Sequence, residues 1–198
     1  MARERGESKQ RMLTSAVALL RERGAAAVTV DAVLAHSGAP RGSVYHHFPG
    51  GRHELITSAV RLAGDHVAAL LDEAVREGDP VRVLRGFVRF WKRTLVETDY
   101  LSGCPVVALA VDGGQAPPET VELVRDIFTR WQTSLTALLT GAGAPPRRAR
   151  RLATLVVASV EGAIILSRAQ RDAGPLDDVL AELTPLLAVT DGGGRENT

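Results

Sequence analysis

The sequence contains little cysteine and few aromatic residues. Cys104 is the only cysteine among 198 residues, which excludes an internal disulfide and is typical of a reducing compartment, so we expect a cytoplasmic protein. Phenylalanine, tryptophan and tyrosine make up only 4% of the chain, whereas hydrophobic residues as a whole make up 45%. The chain therefore has enough apolar side chains for a packed core, and the position of each aromatic residue is informative.

A long uninterrupted hydrophobic run is also missing. The most apolar stretch, residues 152–166, contains Ser159, Glu161 and Gly162 and is shorter than the roughly 20 residues that a membrane span needs. The N-terminal MLTSAVALL follows basic residues, as in a signal peptide, but charged RERG comes next and no cleavage site follows. We therefore expect no membrane segment and interpret the N-terminal stretch as an amphipathic helix.

Patterns typical of enzymes and metal proteins are lacking too. No nucleophile, base and acid occur together at a telling spacing, and no glycine-rich phosphate loop is found, so we assign no catalytic residue and expect no cofactor. His46, His47 and His53 are close in sequence, but adjacent histidines point in different directions on a helix and a PGG turn separates the third. We expect no metal site.

The charge is close to balanced overall but unevenly distributed. The formal net charge is +1, yet residues 1–52 hold eight basic and four acidic residues, which leaves 16 basic and 19 acidic residues for the remainder. A basic N-terminal quarter on a slightly acidic body is typical of a protein that binds DNA through its N-terminal part. A basic tail without a partner gives the same balance, so charge alone does not decide.

Apolar residues recur at helical spacing along nearly the whole chain, and no strand-period pattern of note occurs. For the short apolar stretch CPVVALAVD, periodicity does not decide between helix and strand, and its helical neighbours favour a short helix that begins at Pro105. We predict an all-α protein of about nine helices. Ser8 is a plausible cap of the first helix, Pro185 should kink or shorten the last, and residues 191–198 form a flexible tail. The predicted helices cover residues 8–23, 30–37, 40–48, 52–77, 80–98, a short helix that begins at 105, 118–140, 146–171 and 176–189.

Residues 29–48, TVDAVLAHSGAPRGSVYHHF, have the pattern of a helix-turn-helix. Thr29 is a good helix cap, Gly38 suits the left-handed end of a helix, and Pro40 suits the first turn of the next. The second helix carries an unusually polar and aromatic surface for its length. A helix-turn-helix places such a second helix in the major groove of DNA.

With the preceding RERG and the following PGGRHEL, this stretch resembles the TetR family of bacterial transcription regulators over about the first 60 residues. The resemblance implies a helical DNA-binding head over 1–52, a ligand-binding and dimerisation body over 53–190, and a homodimer. Pro40 replaces a frequent Ser or Thr, and PGGR has an extra glycine. These features and the body motif GCPV resemble the lincomycin-resistance-repressor branch.

Several polar residues of the head are candidates for contact with DNA. Arg41 can donate bidentately to guanine or bind a phosphate, and Ser43 is short enough to reach a base edge or a phosphate, whereas Gly42 allows close backbone approach. Val44 and Phe48 fit the core. By the family resemblance, Tyr45 and His46 bind phosphates, and the free amides at two helix starts add Thr29 and Arg52 to that set. The predicted DNA-binding residues are Thr29, Arg41, Gly42, Ser43, Tyr45, His46 and Arg52.

The body contains a set of aromatic residues on helices that the family uses to wall its pocket. Each is an ordinary core residue by default, but together they favour a largely apolar small-molecule effector. Cys104 fits a small core residue as well as a redox sensor, and Glu161 fits a surface residue, a dimer contact or a polar anchor. The predicted ligand-binding residues are Phe87, Trp91, Cys104, Phe128, Trp131 and Glu161.

The last two long helices carry more apolar surface than a monomer needs, and Gly162-Ala163 permits close helix approach. An isologous four-helix interface fits this pattern. The basic cluster 147–151 is interpreted as a solvated helix start. The predicted interface residues are Leu152, Leu155, Val156, Ser159, Ala163, Leu166, Val179, Leu183 and Leu186.

These features together favour a bacterial, ligand-responsive repressor that binds double-stranded palindromic operator DNA as a homodimer and is released by a small, largely apolar ligand. Two other classes are weighed against it. One is a helical dimer that binds small molecules without reading DNA sequence. The other is an enzyme on a helical scaffold, which the missing catalytic patterns disfavour.

Overall fold

The computed structural model describes residues 2–111 and 117–188, with side chains from residue 6 onward. The predicted flexible tail at 191–198 lies outside the described residues. Within these ranges every regular element is helical and no strand occurs, which confirms the all-α prediction. The α-helices are α1 (Ala2–Arg23), α2 (Val30–Ser37), α3 (Ser43–His47), α4 (Gly51–Glu77), α5 (Pro80–Glu97), α6 (Pro105–Val111), α7 (Pro118–Gly141), α8 (Pro146–Gln170) and α9 (Gly174–Leu187).

Two predicted helix starts are wrong. The first helix begins at Ala2, and Ser8, which was expected to cap it, lies inside the helix and is buried. Helix α3 begins at Ser43 and not at Pro40. The backbone amide and the hydroxyl of Ser43 both donate to the carbonyl oxygen of Pro40, so residues 40–42 form a turn ahead of the helix.

The remaining boundaries agree with the predictions to within two residues, and the short helix predicted from Pro105 is present as α6. Helix α9 contains Pro185 and ends two residues later, at Leu187. Proline has no backbone N–H, so Pro185 removes one helical hydrogen bond near the end of α9. The predicted end of this helix at 189 lies outside the described residues.

The chain divides into two compact units. The first comprises Met1–Val67 and Thr98–Phe128, and the second comprises Ala68–Glu97 and Thr129–Thr198. The division falls within α4 and within α7, so each of these long helices contributes residues to both units.

In the first unit, α1 packs against α2, α3 and α6. Its core includes Met12, Leu20, Val28, Val44 and Phe48, all of which are fully buried. The part of α4 in this unit passes close to the part of α7 in the same unit. A Cβ atom added at Gly64 would lie 2.8 Å from Cδ1 of Ile127, so this crossing requires glycine.

In the second unit, α5, α8 and α9 pack against one another. Leu84, Val88, Val160, Ile164 and Leu176 are among the side chains buried there. An ion pair also joins α5 to α9: the ammonium of Lys92 donates to both carboxylate oxygens of Asp177 at 2.7 Å. Both side chains are partly exposed, so this pair adds little to stability compared with the apolar contacts.

Among the described residues, one helix, α8, is long and apolar enough to cross a membrane by length and composition alone. The sequence prediction considered only residues 152–166, and the helix extends beyond that run at both ends. Core helices pass the same test, so a single such helix is weak evidence for a membrane span. Only 39% of its most apolar window is buried within the protein, which leaves apolar surface exposed.

Candidate nucleic-acid interface

Helix α2 is fixed at both ends by the predicted capping residues. The side-chain oxygen of Thr29 accepts a hydrogen bond from the Ala32 amide at 3.1 Å. Gly38 has a φ of 65° and its amide donates to the Leu34 carbonyl at 3.0 Å. A left-handed residue at this position closes the helix and redirects the chain, and glycine adopts it without steric strain.

Helix α3 has one buried and one exposed side. Val44 and Phe48 are fully buried, as predicted, and they anchor the helix on the core of the first unit. Arg41, Tyr45 and His46 are exposed; the side chain of Arg41 is 87% exposed and Tyr45 is 65% exposed. A large exposed aromatic residue beside an exposed arginine forms a surface that offers both cationic and hydrogen-bonding contacts to an anionic partner.

The exposed arginine has one acidic neighbour. A guanidinium nitrogen of Arg41 lies 3.4 Å from a carboxylate oxygen of Asp31, and both side chains are more than three-quarters exposed. An exposed pair at this distance contributes little and is screened by salt. Arg41 can therefore leave Asp31 for a phosphate or a guanine base at small cost.

Ser43 is less available than its neighbours. It is half-buried, and its hydroxyl donates to the Pro40 carbonyl at 2.6 Å. The sulfur of Met12 lies 3.8 Å from the hydroxyl oxygen of Ser43. The hydroxyl proton is used within the protein, so the hydroxyl is left as an acceptor toward a partner. Gly42, directly before it, is exposed and has no atom within 4 Å of the position that a Cβ would occupy.

The C-terminal end of α3 carries two histidine rings, and Lys9 of α1 lies over the Phe48 ring that follows them. The ring of His46 is 5.0 Å from that of His47, and the ammonium of Lys9 lies 5.6 Å from the centre of the Phe48 ring. No cluster of three or more metal-binding side chains occurs in residues 6–111 and 117–188. Lys9 was not among the predicted site residues, because nothing in the sequence indicates that this residue of α1 faces Phe48.

The guanidinium of Arg52, predicted as a phosphate contact, is hydrogen-bonded within the protein. Its Nε donates to the Val28 carbonyl at 2.7 Å, and one Nη donates to the Ala25 carbonyl at 2.6 Å. Both acceptors belong to the connector between α1 and α2, and residues Ala25–Ala27 there form a single 3₁₀ turn. The residue as a whole remains exposed.

Comparison with known proteins shows to which family the two parts of the chain are similar. Residues 12–62 match the family described as bacterial regulatory proteins, tetR family. Residues 80–182 match the family described as transcriptional regulator LmrA/YxaF-like, C-terminal domain. The chain belongs to the TetR family. It is a transcriptional regulator, with an N-terminal DNA-binding domain and a C-terminal ligand-binding domain.

Similar regulators align over nearly their whole length. The HTH-type transcriptional regulator Rv0196 of Mycobacterium tuberculosis is 42% identical, over 90% of this chain and 93% of the relative. YxaF of Bacillus subtilis is 31% identical, over 95% of this chain and 98% of the relative, and LmrA of the same organism is 26% identical, over 92% and 97%. The predicted resemblance to the lincomycin-resistance-repressor branch of the TetR family is confirmed.

Solved structures of the TetR family share the fold. A TetR regulatory protein from Rhodobacter sphaeroides superposes with a TM-score of 0.79, at 24% identity, over 89% of this chain and 97% of that one. A TetR-family regulator from Agrobacterium tumefaciens gives a TM-score of 0.78, at 23% identity, over 91% and 97%. At these identities the likeness concerns the fold alone.

The predicted ligand-binding residues of this TetR-family protein are distributed over both units. Cys104 and Phe128 belong to the first, and Phe87, Trp91, Trp131 and Glu161 belong to the second. In the second unit an aromatic cluster forms on α5, where the ring centre of Trp91 lies 6.4 Å from that of Phe87 and 5.5 Å from that of Phe90. Phe90 is missing from the prediction, although its spacing from Phe87 is that of a helical neighbour.

Cys104 lies at a junction between α1 and α6, within the first unit. The amide of the preceding Gly103 donates to the Arg21 carbonyl at 2.8 Å, and the Cys104 side chain is buried. Burial lowers the pKa of the Arg21 guanidinium from its ordinary value, and the charge interaction with Cys104 opposes that shift. Arginine keeps its charge even so. The chain segment that carries Cys104 is thus hydrogen-bonded to the first helix of the DNA-binding domain.

The predicted dimer residues fall into two sets. Part of the set lies in the core of the protomer itself, and the rest lies on or near the surface. The buried members are Leu152, Val156, Ala163 and Leu183. These four already have apolar partners within the protomer, so they are core residues rather than surface available to a second subunit.

The remaining members lie along the opposite side of α8 and on α9. Ser159 and Val179 are half-buried, and the exposed members are Leu155, Leu166 and Leu186. Ile165, which the prediction missed, is 51% exposed beside Leu166. Residues 155, 158, 162, 165, 166 and 169 share one side of α8 at helical spacing, and we name this surface the outer face of α8.

Proposed function

We propose that this TetR-family regulator represses transcription by binding a palindromic operator as a homodimer, and that a small, largely apolar ligand releases it. The observation that carries the DNA-binding part is the exposed surface of the turn and helix α3, with Arg41, Tyr45 and His46 outward and Val44 and Phe48 buried. A helix held from one side, with cationic and hydrogen-bonding groups on the other, fits the major groove.

The predicted DNA-binding residues have different chemistry in this proposal. Arg41 donates to guanine O6 and N7, which is the commonest sequence-specific contact, and Ser43 accepts from a base edge through its free lone pair. Tyr45, His46 and Thr29 bind phosphates and fix the register of the helix, while Gly42 lets the backbone approach closely. The seventh residue, Arg52, donates to two backbone carbonyl oxygens within the protein.

A homodimer is proposed from the outer face of α8. Its exposed leucine and isoleucine side chains lie on a helix whose other side is buried in the protomer, so a second copy would cover apolar surface that water now contacts. An isologous interface repeats each contact twice. To read a palindrome, the two recognition helices would then lie about 34–36 Å apart, which is one turn of DNA.

A ligand site is proposed in the body, within the domain assigned to residues 53–190. Within the second unit, the aromatic cluster of α5 and Trp131 supply apolar contacts, and half-buried Glu161 supplies a polar anchor. A ligand that binds a DNA-incompetent conformation more tightly shifts the population away from the operator. We place the protein, together with its operator, in the cytoplasm.

The proposal is tested by the Arg41→Ala variant. The probe is a DNA duplex that the wild-type protein selects from a randomised library, and binding is measured by fluorescence anisotropy. Because a bidentate arginine–guanine pair contributes about 1–3 kcal/mol, we expect the operator affinity to fall roughly ten- to hundredfold while the dimer stays intact by sedimentation.

Arg150→Ala is the matched control, since Arg150 is an exposed arginine in the basic cluster at the start of α8. We expect the operator affinity of this variant to stay at the wild-type value. Selection of no duplex by the wild-type protein would leave the alternative of a small-molecule-binding dimer without sequence-specific DNA binding. Equal losses in the two arginine variants would contradict the assignment of Arg41.

A further inference from the structure

Arg52 connects the two ends of the helix-turn-helix segment. Residues 29–48 begin directly after Val28 and end shortly before Arg52, and the Arg52 guanidinium donates to the carbonyl oxygens of Val28 and Ala25 at 2.7 and 2.6 Å. Hydrogen bonds from a charged donor are stronger than those between neutral groups. Two of them from one planar guanidinium also restrict the orientation of the connector, which a single bond would not.

On the connector side, the bonded carbonyls lie immediately before the cap of α2. The Ala25 carbonyl also accepts from the Val28 amide at 3.1 Å, which closes the 3₁₀ turn, and both residues are buried. Thr29 follows and caps α2. The position of the α2 N-terminus is therefore set in part by the bonds from Arg52.

On the other side, Arg52 follows the turn that ends α3. This helix has only five residues, and a helix of that length does not persist without support from its neighbours. Its C-terminal turn is closed by a hydrogen bond from the Gly51 amide to the Phe48 carbonyl at 2.8 Å, and Gly51 has a φ of 62°. The Glu54 carboxylate accepts from the Gly50 amide at 2.7 Å. Arg52 is thus joined to α3 through a closed turn.

We propose that Arg52 is a positioning residue that sets the placement of α2 and α3 relative to each other, rather than a phosphate ligand. This inference rests on the proposed operator binding. The Nε and one Nη of Arg52 donate within the protein, whereas a phosphate ligand at a helix start would direct its guanidinium to the anion. The residue acts on DNA through the two helices that it joins.

The salt dependence of operator binding separates the two roles. The affinities of wild type, Arg52→Ala and Arg52→Lys are measured on the selected duplex over a series of salt concentrations. A lost phosphate contact lowers the slope of log affinity against log salt by about 0.9. For a positioning residue, we expect Arg52→Ala to lose affinity about tenfold, the scale of a lost charged hydrogen bond, at the wild-type slope.

Arg52→Lys keeps the charge but lacks the planar pair of donors, so it should stay closer to Arg52→Ala than to wild type. Arg61→Ala, an exposed arginine further along α4, is the control for loss of charge and should bind as wild type does. A reduced slope in Arg52→Ala together with recovery of affinity in Arg52→Lys would overturn the inference and establish a phosphate contact.

Amide hydrogen exchange gives a readout that does not need DNA. We expect faster exchange at residues 25–33 and 43–51 in both Arg52 variants, and unchanged exchange in α9, because local opening is confined to elements that lose their restraint. If wild type selects no duplex, the proposed function fails while the exchange result still tests whether Arg52 holds the two helices. Unchanged exchange with unchanged affinity would show that Arg52 has no positioning role.

Discussion

Helices α3 and α8 expose side chains of opposite character. Helix α3 and the turn before it expose Arg41, Tyr45 and His46, whereas the outer face of α8 exposes Leu155, Ile165 and Leu166. Polar groups at the surface keep their hydration until a partner replaces it with hydrogen bonds and opposite charge. Exposed leucine gains from any apolar cover. The two surfaces therefore fit different partners, a polyanion for one and a second apolar surface for the other.

The helices also differ in what holds them in place. The five residues of α3 depend on Val44, Phe48 and the turns at both ends, while the 25 residues of α8 have a complete buried side of their own. A change at the outer face of α8 should thus leave the protomer folded. A change around α3 should alter the geometry of the helix-turn-helix. Each variant below tests one side of this contrast.

The largest effect is expected from a charge placed on the outer face of α8. Leu166 is 51% exposed in the protomer and, in the proposed dimer, would be covered by the second copy. In Leu166→Glu an unpaired carboxylate enters that interface twice, and burial of such a charge is strongly unfavourable. We expect the dimer dissociation constant to rise at least about a hundredfold by sedimentation, with loss of operator binding.

Val121→Glu is the matched control, because Val121 has the same exposed fraction as Leu166 but lies on α7. Its dimer dissociation constant should equal that of wild type, and circular dichroism should show native helix content in both variants. A monomeric Val121→Glu protein would mean that general surface charge, rather than the outer face of α8, controls assembly. A dimeric Leu166→Glu protein would remove that face from the interface.

A smaller effect, of a different kind, is expected from the buried side of the same helix pair. Leu183 on α9 is 3% exposed, and truncation of such a side chain loses its apolar transfer energy and leaves a cavity. Leu183→Ala should lower the free energy of unfolding by about 2–5 kcal/mol, measured by urea denaturation. The size of this loss should not depend on protein concentration, since Leu183 contacts its own protomer.

The corresponding truncation on the outer face, Leu166→Ala, should show the reverse pattern. The stability lost in that variant should grow as the protein is concentrated, because the contact is made only in the dimer. If the loss in Leu183→Ala depended on concentration instead, the core assignment of Leu183 would fail.

The two sides of α8 also show where the sequence is informative and where it is not. Leu152 and Leu155 both recur at helical spacing with their neighbours, so periodicity identifies each as apolar helix surface. It contains no signal that Leu152 is covered by the protomer while Leu155 is not. Which stripe is buried depends on the packing of α5 and α9, which are contacts between residues distant in sequence.

Around α3 the local signals were sufficient for some residues only. Thr29 and Gly38 act through their own backbone neighbours, and their capping roles follow from residue type. Proline and serine are both common at helix starts, and the prediction placed the start of α3 at Pro40. In the structure the amide and hydroxyl of Ser43 donate to the Pro40 carbonyl, so residues 40–42 form a turn and the helix begins at Ser43. The bonds from Arg52 reach back 24 and 27 residues, so no local pattern predicts them.

The smallest effect is expected at the cap of α2. Thr29 accepts a hydrogen bond from the Ala32 amide, and loss of such a cap costs about 1 kcal/mol. Thr29→Ala should lower the free energy of unfolding by that amount in urea denaturation, and Thr29→Ser, which keeps the hydroxyl, should recover most of it. No loss of stability in Thr29→Ala would show that water caps the helix equally well.

Operator binding by the same variants tests whether the methyl group of Thr29 contacts DNA in addition to the cap that its hydroxyl forms. If the hydroxyl only caps α2, Thr29→Ala should weaken binding a few-fold, because a loosened helix start presents its amides to the phosphate less often. The serine variant should then restore affinity and stability together. If the methyl group of Thr29 contacts the operator as well, Thr29→Ser would recover stability but not affinity. That result would extend the DNA surface from α3 to the first turn of α2, and the contrast with α8 would then apply to both helices of the motif.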